Sequence, residues 1–187
     1  MLALDLTRYT HETAGGFFEI AAEIHAEVYN EPLFGNHPFF SESAFRQGYS
    51  MALRQPRFEL LTARFEGREV GYMYGFALQP EAGWWDSIEW SETVLAGRPD
   101  NYSHEDGNRT VVIPEILVKS PLRRMGIARS MHDEFLSHRR EQRAGLLVLP
   151  NNHAAKSAYL KWGWCTIGMV RRVPEAPLYE CMVKSLD

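Results

Sequence analysis

The stretch that most restricts how this chain can fold runs from Thr110 to Ala128, TVVIPEILVKSPLRRMGIA. Its apolar run reads as a buried strand, its polar turn carries two arginines, and the recurrence of Ile127, Met131 and Phe135 opens an amphipathic helix. A strand that feeds directly into a helix start leaves backbone N–H groups at the turn without intrahelical acceptors, and the helix dipole adds partial positive charge there. Such a turn is a ready anion site. Gly126 and the small Ala128 let a ligand approach the backbone, with Arg123 and Arg124 beside them, so a phosphorylated cofactor is the first expectation.

The segments around this stretch supply the layers it needs. Leu146 to Leu149, after Gly145, reads as a second buried strand, and a strand, helix, strand connection of this length predicts a parallel βαβ unit. Asn152 to Trp162 predicts a helix with Ala155, Tyr159 and Trp162 on one face, stopped by Gly163 as its C-cap. Thr166 to Val170 and Tyr179 to Val183 read as closing strands. Earlier in the chain, Leu2 to Leu6 alternates as a half-buried strand does, and Phe17, Ile20, Ala21, Ile24 and Val28 recur at helical spacing. An aromatic loop from Glu31 to Phe40 leads to a second helix from Ser41 to about Arg54. Phe58 to Phe65 and Val70 to Leu78 read as an antiparallel hairpin with Glu66-Gly67 at its tip.

At 187 residues and 45% hydrophobic content, the expectation is one domain, residues 1–187. Residues 79–109 form an acidic, Trp-rich insertion within it, too long for an ordinary connection. A net charge of -4 argues against nucleic acid as a partner. Cys165 and Cys181 lie outside any CxxC pattern, which fits a reducing cytoplasm, and no 18 apolar residues run together, so no membrane partner is expected. The seven histidines show no ligand spacing, so no metal is expected, and G-x-G-x-x-G, GK[ST] and G-x-S-x-G are absent.

Two motifs then carry a resemblance. Arg123-Arg124-Met125-Gly126-Ile127-Ala128 fits R/Q-x-x-G-x-G/A, and Asn152 to Trp164 is similar to N-x-x-A-x-x-x-Y-x-x-x-G-F. In this order and on these elements, they resemble the GNAT superfamily of acyl-CoA-dependent N-acyltransferases. The resemblance implies an α/β fold: a GNAT-like central mixed, mostly antiparallel sheet flanked by helices, with one parallel βαβ unit. It implies acetyl-CoA as co-substrate and an N-acetyltransferase that moves the acetyl group to a primary amine by direct attack. The pyrophosphate is then expected at Arg123, Arg124, Met125, Gly126, Ile127 and Ala128, and the pantetheine along Ile116, Leu117 and Val118, with Asn152 and Tyr159 also at the cofactor. Tyr159 matches the family tyrosine that protonates the leaving thiolate, a role compatible with a place in the core. Asn152 is either a CoA contact or the cap of its helix.

Glu115 is the one carboxylate inside the apolar run VVIPEILV, and burial would raise its pKa towards that of a useful base. Its position resembles that of the general-base glutamate of several family members. The other reading is a carboxylate satisfied locally, or one that orients the acceptor. Pro114 removes a ladder donor and is expected to mark a bulge or the end of pairing. A catalytically silent acyl-CoA-binding sensor or interaction module is the alternative from another functional class.

The acceptor is expected outside the motifs. Aromatic faces beside carboxylates suit a cation, so Trp84, Trp85, Asp86 and Glu89 are the candidate residues for a positively charged small-molecule or peptide amine. The competing reading has the tryptophans covering a surface or a subunit contact, as in a homodimer.

Overall fold

The computed structural model describes residues 4–186, so Leu2, where the first expected strand begins, lies outside the described residues. Among them are strands β1 (Leu4–Thr10), β2 (Glu59–Phe65), β3 (Arg68–Ala77), β4 (Ile88–Trp90), β5 (Thr110–Val118), β6 (Arg143–Val148), β7 (Cys165–Val170) and β8 (Tyr179–Ser185). The α-helices are α1 (Phe18–Tyr29), α2 (Glu42–Ala52), α3 (Glu92–Gly97), α4 (Ile127–Ser137) and α5 (His153–Lys161). The strands order as β1-β2-β3-β5-β6-β8-β7-β4 in a mixed, mostly antiparallel sheet, with β5 and β6 as its parallel pair. This is the α/β architecture implied by the two motifs. No described helix is long and apolar enough to cross a membrane.

The chain divides into two compact units, one of residues up to Phe76 with Ile113–Arg139, the other of Ala77–Val112 with Arg140 onward. In the first, Glu66 and Gly67 both take left-handed φ values, 50° and 75°, at the tip of the β2–β3 hairpin. Two positive φ values in a two-residue loop match the right-handed twist of the strands and set their register. Alternation along β3 then places Tyr72 and Tyr74 with Leu60 in the core that α1 and α2 cover. Gly71 points to the other face, where a Cβ would stand 2.5 Å from the Leu117 carbonyl oxygen and 3.3 Å from the methyl carbon of Met131 on α4. Any larger residue there would push β3 off β5.

Helix α1 buries Ala21, Ile24, His25 and Val28, an i, i+3, i+4, i+7 stripe, with Ala22 buried beside it. Ile20, expected on the apolar face, sits at its edge and is 37% exposed. Helix α2 starts where Ser41 accepts a hydrogen bond from the Ala44 N–H at 3.2 Å, and it buries Phe45, Tyr49 and Ala52.

The second unit holds the parallel pair, with Thr110, Val111 and Val112 opposite Arg143, Ala144 and Gly145. That ladder ends two residues before Pro114, as expected of a residue with no N–H to donate. The 79–109 segment is more ordered than its composition suggests. It contributes β4, which pairs antiparallel with β7 from Ile88↔Val170 to Trp90↔Gly168. Gly168 permits this approach, since a Cβ there would lie 2.4 Å from the Glu89 carbonyl oxygen. The segment is anchored by Glu105, which is 5% exposed and accepts hydrogen bonds from Trp85 Nε1, Thr110 Oγ1 and Arg143 Nη2 at 2.9, 2.7 and 2.8 Å. The Arg143 guanidinium lies 4.4 Å and 4.3 Å from the Trp85 and Tyr102 ring centroids. Breaking a buried pair of this kind by truncating one partner costs about 3–5 kcal/mol, because the other charge stays behind.

Candidate active site

Glu115 and Leu117 stand two residues apart on β5, so they share the face that meets Tyr72 and Tyr74. The Glu115 side chain is 11% exposed, and the Tyr72 hydroxyl donates to its Oε2 at 2.5 Å. The Tyr29 hydroxyl is a second donor. His25 Nε2 lies 3.6 Å from Oε1. No lysine or arginine among the described residues pairs with this carboxyl. Burial therefore dominates over the two tyrosine hydrogen bonds and pushes its pKa up from 4.5 to about 8. A carboxyl so tuned holds its proton at neutral pH and releases it just above, which suits an acid–base role.

The His25 ring stacks on Tyr29 and Phe45, with centroids 4.2 and 4.5 Å away. Burial holds it neutral, with a pKa lowered to about 4. The same environment raises the phenols of Tyr72 and Tyr74 well above the ordinary range. Sequence reasoning missed His25, Tyr29 and Tyr72. Two signals pointed to them: a histidine on the buried stripe of α1, and tyrosines at alternate positions of the strand that precedes the insertion.

At the strand-to-helix turn, the structure separates the two arginines. Arg123 Nη1 and Nη2 grip Glu31 at 2.9 and 2.6 Å, and its Nε donates to the Val118 carbonyl at 3.0 Å. Ser120 Oγ donates to the same Glu31 carboxylate at 2.5 Å, and this clamp holds the Glu31 pKa below the ordinary carboxylate range. Arg124 is exposed and makes no ion pair with a described residue. Its φ of 63° and the 85° of Gly126 bend the chain sharply into α4. Nothing lies within 4 Å of where a Gly126 Cβ would stand. Ile127 and Ala128 open the helix, where N–H groups have no intrahelical acceptor and no side chain caps them. Met125 is 37% exposed on the same turn. Ile116, Leu117 and Val118 follow Glu115 on β5.

In the other unit, the second motif is a helix with both ends capped. Asn152 Oδ1 accepts from the Ala155 N–H at 3.2 Å, so its oxygen serves as the N-cap of α5. At the far end Gly163, at φ 86°, lets its own N–H reach the Leu160 carbonyl, while the Trp164 N–H reaches that of Tyr159. This is a Schellman closure, and the Tyr159 and Trp164 rings pack 6.0 Å apart beneath it. The motif thus fixes the place of Tyr159 through local geometry. Burial pushes its phenol up to about 12, which keeps it protonated at working pH.

Trp84, Trp85 and Asp86 line a polar cavity of about 180 Å³ with Glu81 and Glu105, whereas Glu89 stands on β4 and is not part of it. The faces of the tryptophans already hold cations from the chain itself. Arg172 lies 4.2 Å from the Trp84 ring centroid, Arg143 covers Trp85, and Arg98 lies 4.1 Å from that of Trp90. Among the described residues no group of three or more His, Cys, Asp or Glu could hold a metal ion.

A model of the acetyltransferase (GNAT) family matches residues 23–164, from helix α1 through the second motif. The chain belongs to the GNAT family. Solved acetyltransferase structures share its fold. Ard1 from Thermoplasma volcanium is 14% identical with a TM-score of 0.64, over 98% of each chain. An acetyltransferase from Thermus thermophilus is 16% identical with a TM-score of 0.63, over 98% of this chain and 97% of its own. A ribosomal-protein-alanine N-acetyltransferase from Brucella melitensis is 16% identical with a TM-score of 0.61, over 97% of this chain and 99% of its own. At such identities the likeness is one of fold. Comparison with curated proteins gave no match.

For a GNAT protein the turn at Arg124 to Ala128 fits the phosphates of CoA on its own chemistry. It combines an exposed arginine, an uncapped helix start and a glycine with open space above it. Arg123 fits a different task, holding the turn to Glu31 at the end of α1.

Proposed function

We propose that this GNAT member transfers the acetyl group of acetyl-CoA to a primary amine. Acetyl-CoA supplies the activated thioester carbonyl. Glu115 takes the proton from the acceptor ammonium, directly or through water, and leaves a neutral amine able to attack. Tyr159, a phenol that is protonated at working pH, supplies a proton to the departing sulfur. Arg124 and the N–H groups of Ile127 and Ala128 bind the pyrophosphate, and β5 offers backbone groups of Ile116, Leu117 and Val118 to the pantetheine.

The observation that carries this reading is the buried carboxyl of Glu115, which pairs with no lysine or arginine among the described residues. A carboxylate that merely supported the fold would be expected to hold a lysine or arginine, as Glu31 and Glu105 do. Without one, the ammonium of the substrate is its natural counter-charge.

Free thiol released from acetyl-CoA in the presence of a panel of polyamines, amino acids, aminoglycosides and lysine peptides tests the proposal. Release well above the hydrolysis background with at least one class is expected. Tight acetyl-CoA binding with no amine-dependent release from any class would instead indicate a silent acyl-CoA-binding module.

A further inference from the structure

The general base proposed above has a neighbour to which its motif assigns no role. His25 is 3% exposed, its ring is held between Tyr29 and Phe45, and its Nε2 points to within 3.6 Å of Glu115 Oε1. Its Nδ1 is buried and has no hydrogen-bond partner. A neutral imidazole carries one proton, and the environment decides which nitrogen holds it. On Nδ1, the proton would be a buried donor without an acceptor, and the Nε2 lone pair would face the carboxylate that Glu115 becomes when it gives up its proton. On Nε2, the proton points at Oε1 and leaves only an unfilled acceptor behind. The second arrangement is assigned on these grounds.

We propose that His25 is a positioning residue for Glu115: clamped by its aromatic neighbours, it presents an Nε2 proton to Oε1 and so favours the carboxylate form of the base. This rests on the reading of Glu115 as the base. Two hydroxyls then donate to the carboxyl, Tyr72 on Oε2 and Tyr29, while the imidazole N–H stands on the Oε1 side at 3.6 Å, longer than a hydrogen bond, and acts through its dipole. The groups that face the pair come from every element packed on it. They are His25 and Tyr29 from α1, Glu42 and Tyr49 from α2, and Tyr72 and Tyr74 from β3. Among them, Glu42 favours the protonated imidazole, but burial outweighs it, so His25 donates as a neutral ring. Tyr49, Tyr72 and Tyr74 remain phenols throughout the working range.

Removing the Nε2 donor withdraws support from the carboxylate and leaves the CoA-binding turn untouched. His25→Phe and His25→Leu, both apolar, are therefore expected to move the rising limb of the kcat/KM profile for the amine upward by about one pH unit. Activity near pH 7 would fall about tenfold and recover near pH 9, with the KM for acetyl-CoA unchanged. His25→Gln, whose amide can donate in the same direction, should keep the limb near that of the wild type. Melting temperatures show which apolar variant is folded and fit to compare. A folded apolar variant whose limb coincides with that of the wild type, in a protein whose limb disappears in Glu115→Gln, overturns the role of His25 and leaves the base in place. A wild-type limb that persists in Glu115→Gln overturns both.

Discussion

Glu115→Gln is expected to lower kcat by about 10²–10⁴-fold while making the protein more stable above acidic pH. The amide has nearly the volume of the carboxyl and can still accept from Tyr72, but it cannot take a proton from an ammonium. The stability gain follows from the pKa, which is raised from 4.5 in the unfolded chain to about 8 in the fold. A group so shifted contributes stability fully present below about pH 4.5 and lost as pH rises through about 8, because the folded state holds the proton that the unfolded state has released. Each pH unit within that window costs about 1.4 kcal/mol, so the penalty at neutral pH is on the order of 3 kcal/mol. Glutamine does not titrate and escapes it. His25 titrates in the opposite sense, with a folded pKa lowered to about 4, so its contribution is present above 6.5 and lost as pH falls through 4. It is common to both proteins and cancels in their difference. Thermal unfolding at pH 5 and pH 8 should show the variant gaining on the wild type as pH rises. An equal loss of stability at both pH values would mean that the carboxyl is a structural group.

Gly126→Glu is expected to weaken acetyl-CoA binding by at least about 100-fold, equivalent to roughly 2.7 kcal/mol. Two effects act together. At a φ of 85° any L residue is strained, by about 1–2 kcal/mol, and the new carboxylate would stand in the open space before the N–H groups of Ile127 and Ala128. There it would compete with the phosphates and repel them. Gly126→Ala carries the strain without the charge, so it should lose far less affinity. Isothermal titration with CoA separates the two, and unchanged affinity in the glutamate variant would remove the cofactor site from this turn.

What the sequence made legible was local. The turn into α4 is contiguous, and the glycine and small residues that shape it sit side by side. The Asn152 to Trp164 motif encodes an N-cap and a Schellman closure within thirteen residues, so the place of Tyr159 could be read without knowing the fold. The surroundings of Glu115 could not. Tyr72 and His25 reach it through the register of β3 and the inner stripe of α1, and neither residue type signals that meeting in advance.

The 79–109 segment shows the same limit in its electrostatics. Its carboxylates and tryptophans suggested a surface waiting for a cation, but the cations over Trp84 and Trp85 come from Arg172 and Arg143, far along the chain. Charge counted over a window misses partners that the fold imports. Strand β4 was hidden for a similar reason, since three residues carry little periodicity and their pairing depends on Gly168 in β7.

The pH dependence of kcat/KM for an accepted amine tests the central claim most directly. For a base with a pKa near 8, the wild-type value should rise about tenfold per pH unit from pH 6, bend near pH 8, and lose this limb in Glu115→Gln. A wild-type profile that is flat from pH 6 to 9, or a limb that survives intact in Glu115→Gln, would contradict the assignment of Glu115 as the base.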